Sequence, residues 1–114
     1  MPYIKISTSI AVNQQKMEQV KSALGKAISL IPGKSESHLM VEISDGHQLW
    51  FGGENNKPLA FVEVSILGKS TRAAYGALTA EICKILDSIL GISGSGVYVK
   101  YTETEHWGFN GSNF

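Results

Sequence analysis

The chain has 114 residues, 43% of them apolar, and its ten Lys plus Arg are balanced by ten Asp plus Glu for a formal charge of zero. That size and balance suit one globular domain with a single core, so residues 1–114 are read as one domain. Neutrality and a lone arginine, Arg72, argue against nucleic acid or an anionic membrane as partner, since such binding depends on neutralising many phosphates.

From the N-terminus, Met1-Pro2-Tyr3-Ile4-Lys5 lacks the basic-then-apolar order of a secretory signal, and no later run approaches the roughly 20 apolar residues of a membrane span. The expectation is a cytoplasmic protein, or one exported without a signal peptide. Tyr3-Ile4-Lys5-Ile6-Ser7 alternates apolar and polar side chains and reads as a strand. Met17, Val20, Leu24, Ala27, Ile28 and Ile31 then follow at steps of three, four, three, one and three, which is one face of a helix of about five turns. Asn13 is placed to cap its start, and Gly33 to end it in the left-handed conformation. Leu39-Met40-Val41-Glu42 reads as a second strand, and Leu49-Trp50-Phe51-Gly52-Gly53 as a short aromatic strand ending in glycines.

The same unit begins again 58 residues later. Phe61-Val62-Glu63-Val64-Ser65 repeats the first strand, Tyr75, Leu78, Ile82, Ile85, Leu86 and Ile89 repeat the helical steps, and Thr71 and Gly91 repeat the caps. Val97-Tyr98-Val99-Lys100 repeats the second strand, so the internal repeat covers about 3–43 and 61–101. A lone Cys83 excludes an internal disulfide, and three scattered histidines with no cysteine cluster give no metal site, so neither metal nor cofactor is expected. Two strand-helix-strand halves with right-handed crossovers predict an α/β (α+β) fold, a four-stranded mixed sheet with both helices on one face and a pseudo-twofold axis between the halves. The other sheet face is expected to carry Tyr3 or Ile4, Phe61 or Val62, and Met40 and Val99 or their neighbours, too apolar to stay wet, which predicts self-association. Five of the ten aromatic residues fall outside the repeat, at Trp50, Phe51, Trp107, Phe109 and Phe114. In the C-terminal run such side chains gain nothing unless docked, either as a staple on their own subunit or as a pocket wall or interface.

The combination of Met1-Pro2, the doubled unit, Pro32-Gly33-Lys34, Trp50-Phe51-Gly52-Gly53, Leu67-Gly68-Lys69, Val97-Tyr98-Val99 and Trp107-Gly108-Phe109-Asn110-Gly111-Ser112-Asn113-Phe114 resembles the macrophage migration inhibitory factor and D-dopachrome tautomerase family. The resemblance runs in order along the whole chain. It implies a homotrimer whose sheets form a central barrel, with active sites at subunit interfaces, acting as a keto–enol tautomerase on an aryl α-keto acid such as phenylpyruvate. Pro2, freed by removal of Met1, would be the general base: a free prolyl nitrogen is a secondary amine, whereas the same nitrogen acylated by Met1 is an amide without useful basicity. By the same resemblance Lys34 would meet the substrate carboxylate, and Tyr98 would come from a neighbouring subunit. Trp107, Phe109 and Phe114 would form an aromatic wall, and Leu67 and Tyr3 would complete the apolar lining. His38 falls where the family has a tyrosine near the entrance and reads as a solvated loop residue. Lys100 stands where the family often has an asparagine that meets the ligand, exchanging a neutral donor and acceptor for a cation. The segment Pro58–Val62 lacks the two cysteines of the mammalian cytokine, so thiol oxidoreductase activity is not expected. The alternative function the resemblance implies is a cytokine-like secreted signalling protein that binds a receptor and keeps the tautomerase site as a secondary feature. Hydration or dehalogenation of a small unsaturated acid, which tends to require further arginine and acidic partners, ranks last.

Overall fold

The computed structural model describes residues 1–114. Its main elements are β1 (Pro2–Thr8), α1 (Gln14–Ala27), β2 (Met40–Ser44), β3 (Ala60–Leu67), α2 (Arg72–Leu90) and β4 (Val97–Thr104), followed by β5 (Gly108–Phe109) and β6 (Ser112–Asn113). The first four strands form one mixed sheet in the order β2-β1-β3-β4. Each half contributes a parallel pair, β1 with β2 and β3 with β4, and the halves meet where β1 runs antiparallel to β3. The predicted doubled unit is therefore the fold, with the pseudo-twofold between its two central strands.

The alternation along β1 and β3 sets the layers. Ile4, Ile6, Val62 and Val64 are buried and join Val20, Leu24, Ile28, Leu78, Ile82 and Leu86 from the helices in one core of eighteen buried residues. Both helices thus cover the same face of the sheet. Their starts match the sequence reading: the Asn13 side chain accepts a hydrogen bond from the Lys16 amide, and the Thr71 side chain accepts one from the Ala74 amide. Gly91 closes α2 in the left-handed region at φ 69°.

Three expectations are corrected. First, α1 stops at Ala27 rather than reaching Gly33, and Ile28–Leu30 tighten into a 3-10 turn. Ile28 and Ile31 stay fully buried through that change, so the apolar spacing is preserved while the helix is shorter. Gly33 has φ 83° but belongs to the following turn. Second, Leu49–Gly53 is not a strand. Phe51 and Glu54 exchange backbone hydrogen bonds of 2.7 and 3.1 Å across Gly52 and Gly53, whose φ values of 60° and 82° are those of a tight two-glycine turn.

Third, the open sheet face carries the apolar residues expected, through Tyr3, Phe61, Met40 and Val99's neighbour Tyr98, but also a row of charges that was not expected. Pairing aligns Lys5 with Glu42 on one side and Glu63 on the other, and Glu63 with Lys100. Strand alternation turns all four away from the helices, so the open face carries a row Glu42, Lys5, Glu63, Lys100 of alternating sign across every strand. Ile4, Val62 and Val99 belong to the helix-covered side, while Tyr3, Met40, Phe61 and Tyr98 share the open side with the charges. Among its apolar side chains, Tyr3 lies beside Met40 and Phe61 beside Tyr98 at diagonal corners, with Leu67 at the end of β3.

Candidate functional site

Pro2 opens β1 and is buried, pairing in register with Ile66 of β3. The Met1 carbonyl accepts a hydrogen bond of 3.1 Å from the Leu67 amide, which fixes the chain immediately before it. Lys34, in the turn after the 3-10 segment, sends its ammonium to the Leu67 carbonyl at 2.9 Å. Three elements therefore converge on the N-terminal amine. Burial, then the positive charge of Lys34, then hydrogen bonding with Lys34, hold that amine below its ordinary value of 8.0. Each acts against the ammonium form, so the local field favours a neutral amine at this spot.

Beside it lies a cleft of about 760 Å³ whose walls include Met1, Pro2, Tyr3, Met40, Trp107 and Phe109. The C-terminal segment forms its aromatic side. Asn110 at φ 50° and Gly111 at φ 88° turn the chain, β5 pairs antiparallel with β6, and the Phe114 amide donates to the Trp107 carbonyl at 3.1 Å. The Phe109 and Phe114 rings stack at 6.4 Å with only 11° between their planes. Both rings stay more than 60% exposed, so the tail builds a wall and leaves it open. A comparable hollow of about 670 Å³ along α1 is edged by Gln15, Glu18, Gln19 and Lys26. Those are ordinary solvated helix residues with no convergent geometry, so the Pro2 cleft is the candidate site.

Of the residues singled out from sequence, Pro2, Tyr3, Trp107 and Phe109 come together in the cleft, and Phe114 backs Phe109. Lys34 acts on the amine and donates to the Leu67 carbonyl, but neither Lys34 nor Leu67 is among the residues that wall the cleft. Tyr3 is not the plain apolar lining expected: its hydroxyl donates to Glu42 at 2.6 Å, and that hydrogen bond first, with burial and the carboxylate charge, pushes its pKa up to about 12. Tyr98 and Lys100 lie on β4, two strands away from β1, and do not reach the cleft of their own chain. Tyr98 instead packs on Phe51 at 5.0 Å and Phe61 at 6.4 Å.

Met40, Glu42 and His38 also line the cleft, and the sequence reading assigned none of them a role there. His38 is exposed, at the end of a 3-10 turn over Glu36–His38 rather than in a loop. Met40 and Glu42 enter because β2 pairs directly with β1, setting Met40 opposite Tyr3. Once β1 and β2 are read as a parallel pair, alternation alone puts both on Tyr3's face, and that signal was available.

No helix is long and apolar enough to cross a membrane, and no group of three or more His, Cys, Asp or Glu side chains is arranged to hold a metal ion. Comparison with known proteins agrees with this geometry along the full length. A macrophage migration inhibitory factor homolog from Trichuris trichiura is 30% identical over the whole of both chains, and one from Brugia malayi is 27% identical over all of this chain and 99% of that protein. The crystal structure of Leishmania major MIF2 superposes with a TM-score of 0.92 at 30% identity, covering 100% of this chain and 97% of that one. With the family pattern itself matched from residue 1 to residue 114, the chain belongs to the macrophage migration inhibitory factor family, within the tautomerase superfamily.

Proposed function

We propose that the protein is a keto–enol tautomerase of aryl α-keto acids such as phenylpyruvate, working as a homotrimer with Pro2 as general base once Met1 is removed. The observation that carries this reading is the setting of the chain start: a buried proline at the mouth of an aromatic cleft, where burial and Lys34 already hold the neighbouring amine below its usual proton affinity. Removing Met1 moves that amine one residue along β1, onto Pro2. A neutral prolyl nitrogen takes the proton from the enol oxygen and returns one to the adjacent carbon, or the reverse. Product and substrate differ only in where that proton sits, so no cofactor is required. Lys34 receives the substrate carboxylate, Trp107 and Phe109 flank the aryl ring, and Phe114 holds Phe109 in place. Tyr98 reaches a cleft from a neighbouring subunit, in keeping with its distance from Pro2 of its own chain.

Mass spectrometry of the purified chain followed by an enol-ketonisation assay tests the proposal. Chains lacking Met1 are expected to be active and chains retaining it inactive; inactivity of fully processed chains overturns the reading. Pro2→Gly in the processed chain keeps a primary amine but loses the ring, and activity should fall at least about 100-fold, at the lower end of what a positioned base contributes.

A second reading, a receptor-binding signalling protein, is favoured by the exposed Trp50, Phe51 and Tyr98 away from the cleft. Receptor binding that survives Pro2→Gly and is lost with Trp50→Ala would support it, and loss with neither would count against it.

A further inference from the structure

Two places in the chain join an Asp or Asn to a following glycine, Asp45-Gly46 and Asn110-Gly111, and the structure holds them differently. Both pairs are exposed, and both glycines have positive φ, 67° at Gly46 and 88° at Gly111. In the first, the Asp45 carboxylate accepts from the Val12 amide at 2.8 Å and the Gly46 amide donates to the Ile10 carbonyl at 3.0 Å. The second is tied at neither group. No side-chain hydrogen bond involves a residue beyond His106, the Gly111 amide donates to no backbone carbonyl, and nothing lies within 4 Å of where a Cβ on Gly111 would stand. Asn110 is the only non-glycine residue with positive φ, at 50°, and with Gly111 it makes the primed turn that Asn-Gly favours. β5 and β6 are two residues each and residues 108–114 are all exposed, so this turn can open without disturbing the core.

We propose that Asn110-Gly111 is a site of spontaneous deamidation, at which the turn of the cleft wall converts to isoaspartate and aspartate. The Gly111 amide nitrogen gives its proton to solvent base and attacks Cγ of Asn110, an approach that glycine leaves unobstructed. A C–N bond forms, the bond from Cγ to the carboxamide nitrogen breaks, and ammonia departs, leaving a cyclic imide. Water then opens the imide at Cγ, which gives aspartate, or at the Asn110 main-chain carbonyl, which routes the chain through Cγ as isoaspartate. One water is consumed, one ammonia is released, and nothing is oxidised or reduced. Either product places a new carboxylate next to Phe109, where it repels an anionic substrate. Isoaspartate also lengthens the main chain between Phe109 and Ser112 by one methylene, so the register of β5 with β6 cannot persist and the Phe109–Phe114 stack loosens. The chemical step is independent of the proposed activity; its effect on KM rests on that reading.

Peptide mapping by mass spectrometry, with fragmentation that separates the two isomers, tests the site. Folded protein at mildly alkaline pH and the same protein unfolded in guanidinium are incubated until half of the unfolded sample has converted at position 110. The folded chain should convert there at a rate within several-fold of the unfolded one. Asp45→Asn sets two Asn-Gly pairs in one chain, and in the folded variant position 45 should stay an amide while position 110 converts. A folded chain that keeps Asn110 intact, or a variant that converts as fast at position 45, overturns the proposal. The converted fraction, separated by anion exchange, should show a several-fold higher KM for phenylpyruvate. Asn110→Gly keeps the positive φ without a carboxamide, so its KM should not drift on incubation. Converted protein with an unchanged KM overturns the effect on the cleft and leaves the site standing. Fresh processed protein without activity overturns the tautomerase reading alone. Trp107 fluorescence in a Trp50→Phe background then reports the wall: a shift on conversion supports its loosening, and an unchanged spectrum overturns it.

Discussion

At the scale of single residues, two groups near the cleft carry proton-linked predictions. Lys34 disfavours the cationic form of the amine beside it, both by its charge and by hydrogen bonding. In the processed chain Lys34→Gln should therefore raise the proton affinity of the base and move the acid limb of the pH–rate profile upward, because activity requires the neutral amine. KM for an aryl α-keto acid should rise about tenfold or more, the loss expected for one charge-assisted hydrogen bond. A profile that stays in place would remove Lys34 from the site. Tyr3 shifts the other way: it donates to Glu42, and its pKa of about 12 lies above the ordinary 10.0. Between those values the folded chain keeps a proton that the unfolded chain has lost. The stabilisation is thus complete below pH 10 and disappears as pH rises through about 12. Ring-carbon NMR of labelled tyrosine should show Tyr3 titrating near 10 in Glu42→Gln, with Tyr75, held at about 12 by burial and by Glu103, unchanged.

At the scale of elements, the glycines show how local geometry and packing pull a substitution in opposite directions. Gly76 lies on the exposed side of α2 with ordinary helical backbone and nothing within 4 Å of an added Cβ. Gly76→Ala should stabilise by roughly 0.5–1 kcal/mol, since alanine surrenders less backbone entropy on folding. At Gly96, by contrast, an added Cβ would sit 2.6 Å from the Pro58 carbonyl oxygen, a backbone atom that cannot swing aside. Gly96→Ala should destabilise by about 1–3 kcal/mol as β4 is pushed from the Pro58 loop, and urea midpoints of the two variants should bracket the parent. Neither effect can be read from the sequence, where both are glycines near a helix. What was legible were the periods: the 3.6-residue spacing of α2 and the two-residue alternation of β1 and β3 survive intact. The length of α1 was not, because a 3-10 turn buries Ile28 and Ile31 as well as an α-helix would. The phase of the sheet was also hidden, since Tyr3-Ile4 and Phe61-Val62 offer an apolar residue to either face. Register resolves it by aligning Lys5 with Glu42 and Glu63. The cleft was half legible for a related reason: Pro2 and the aromatic tail stand out in the chain, while Met40 and Glu42 arrive through strand order.

At the scale of the molecule, stability and the site are separable. Every residue of the eighteen-member core lies between Ile4 and Ile92, and the last residue packed against it is Tyr101. The radius of gyration, 14.3 Å, exceeds the roughly 13.3 Å expected of a compact chain this long, and the overall extents of 43 × 29 × 22 Å are those of an elongated body. Four of the seven exposed large apolar side chains, Trp50, Phe51, Phe109 and Phe114, belong to the two segments outside the repeat. The folding unit is therefore the doubled strand-helix-strand, and the tail is an attachment that walls the cleft. Deleting residues 107–114 should leave cooperative unfolding in place, with a thermal midpoint lowered by no more than about 4–8 °C, the shift of about 1 kcal/mol in a domain near this size. The same deletion removes Trp107 and Phe109 from the cleft, so KM for an aryl α-keto acid should rise far more steeply than stability falls. A chain that loses its sharp transition when the tail is cut would instead make those aromatics part of the fold, and the openness of Phe109 and Phe114 would then reflect a surface covered by another copy rather than by substrate.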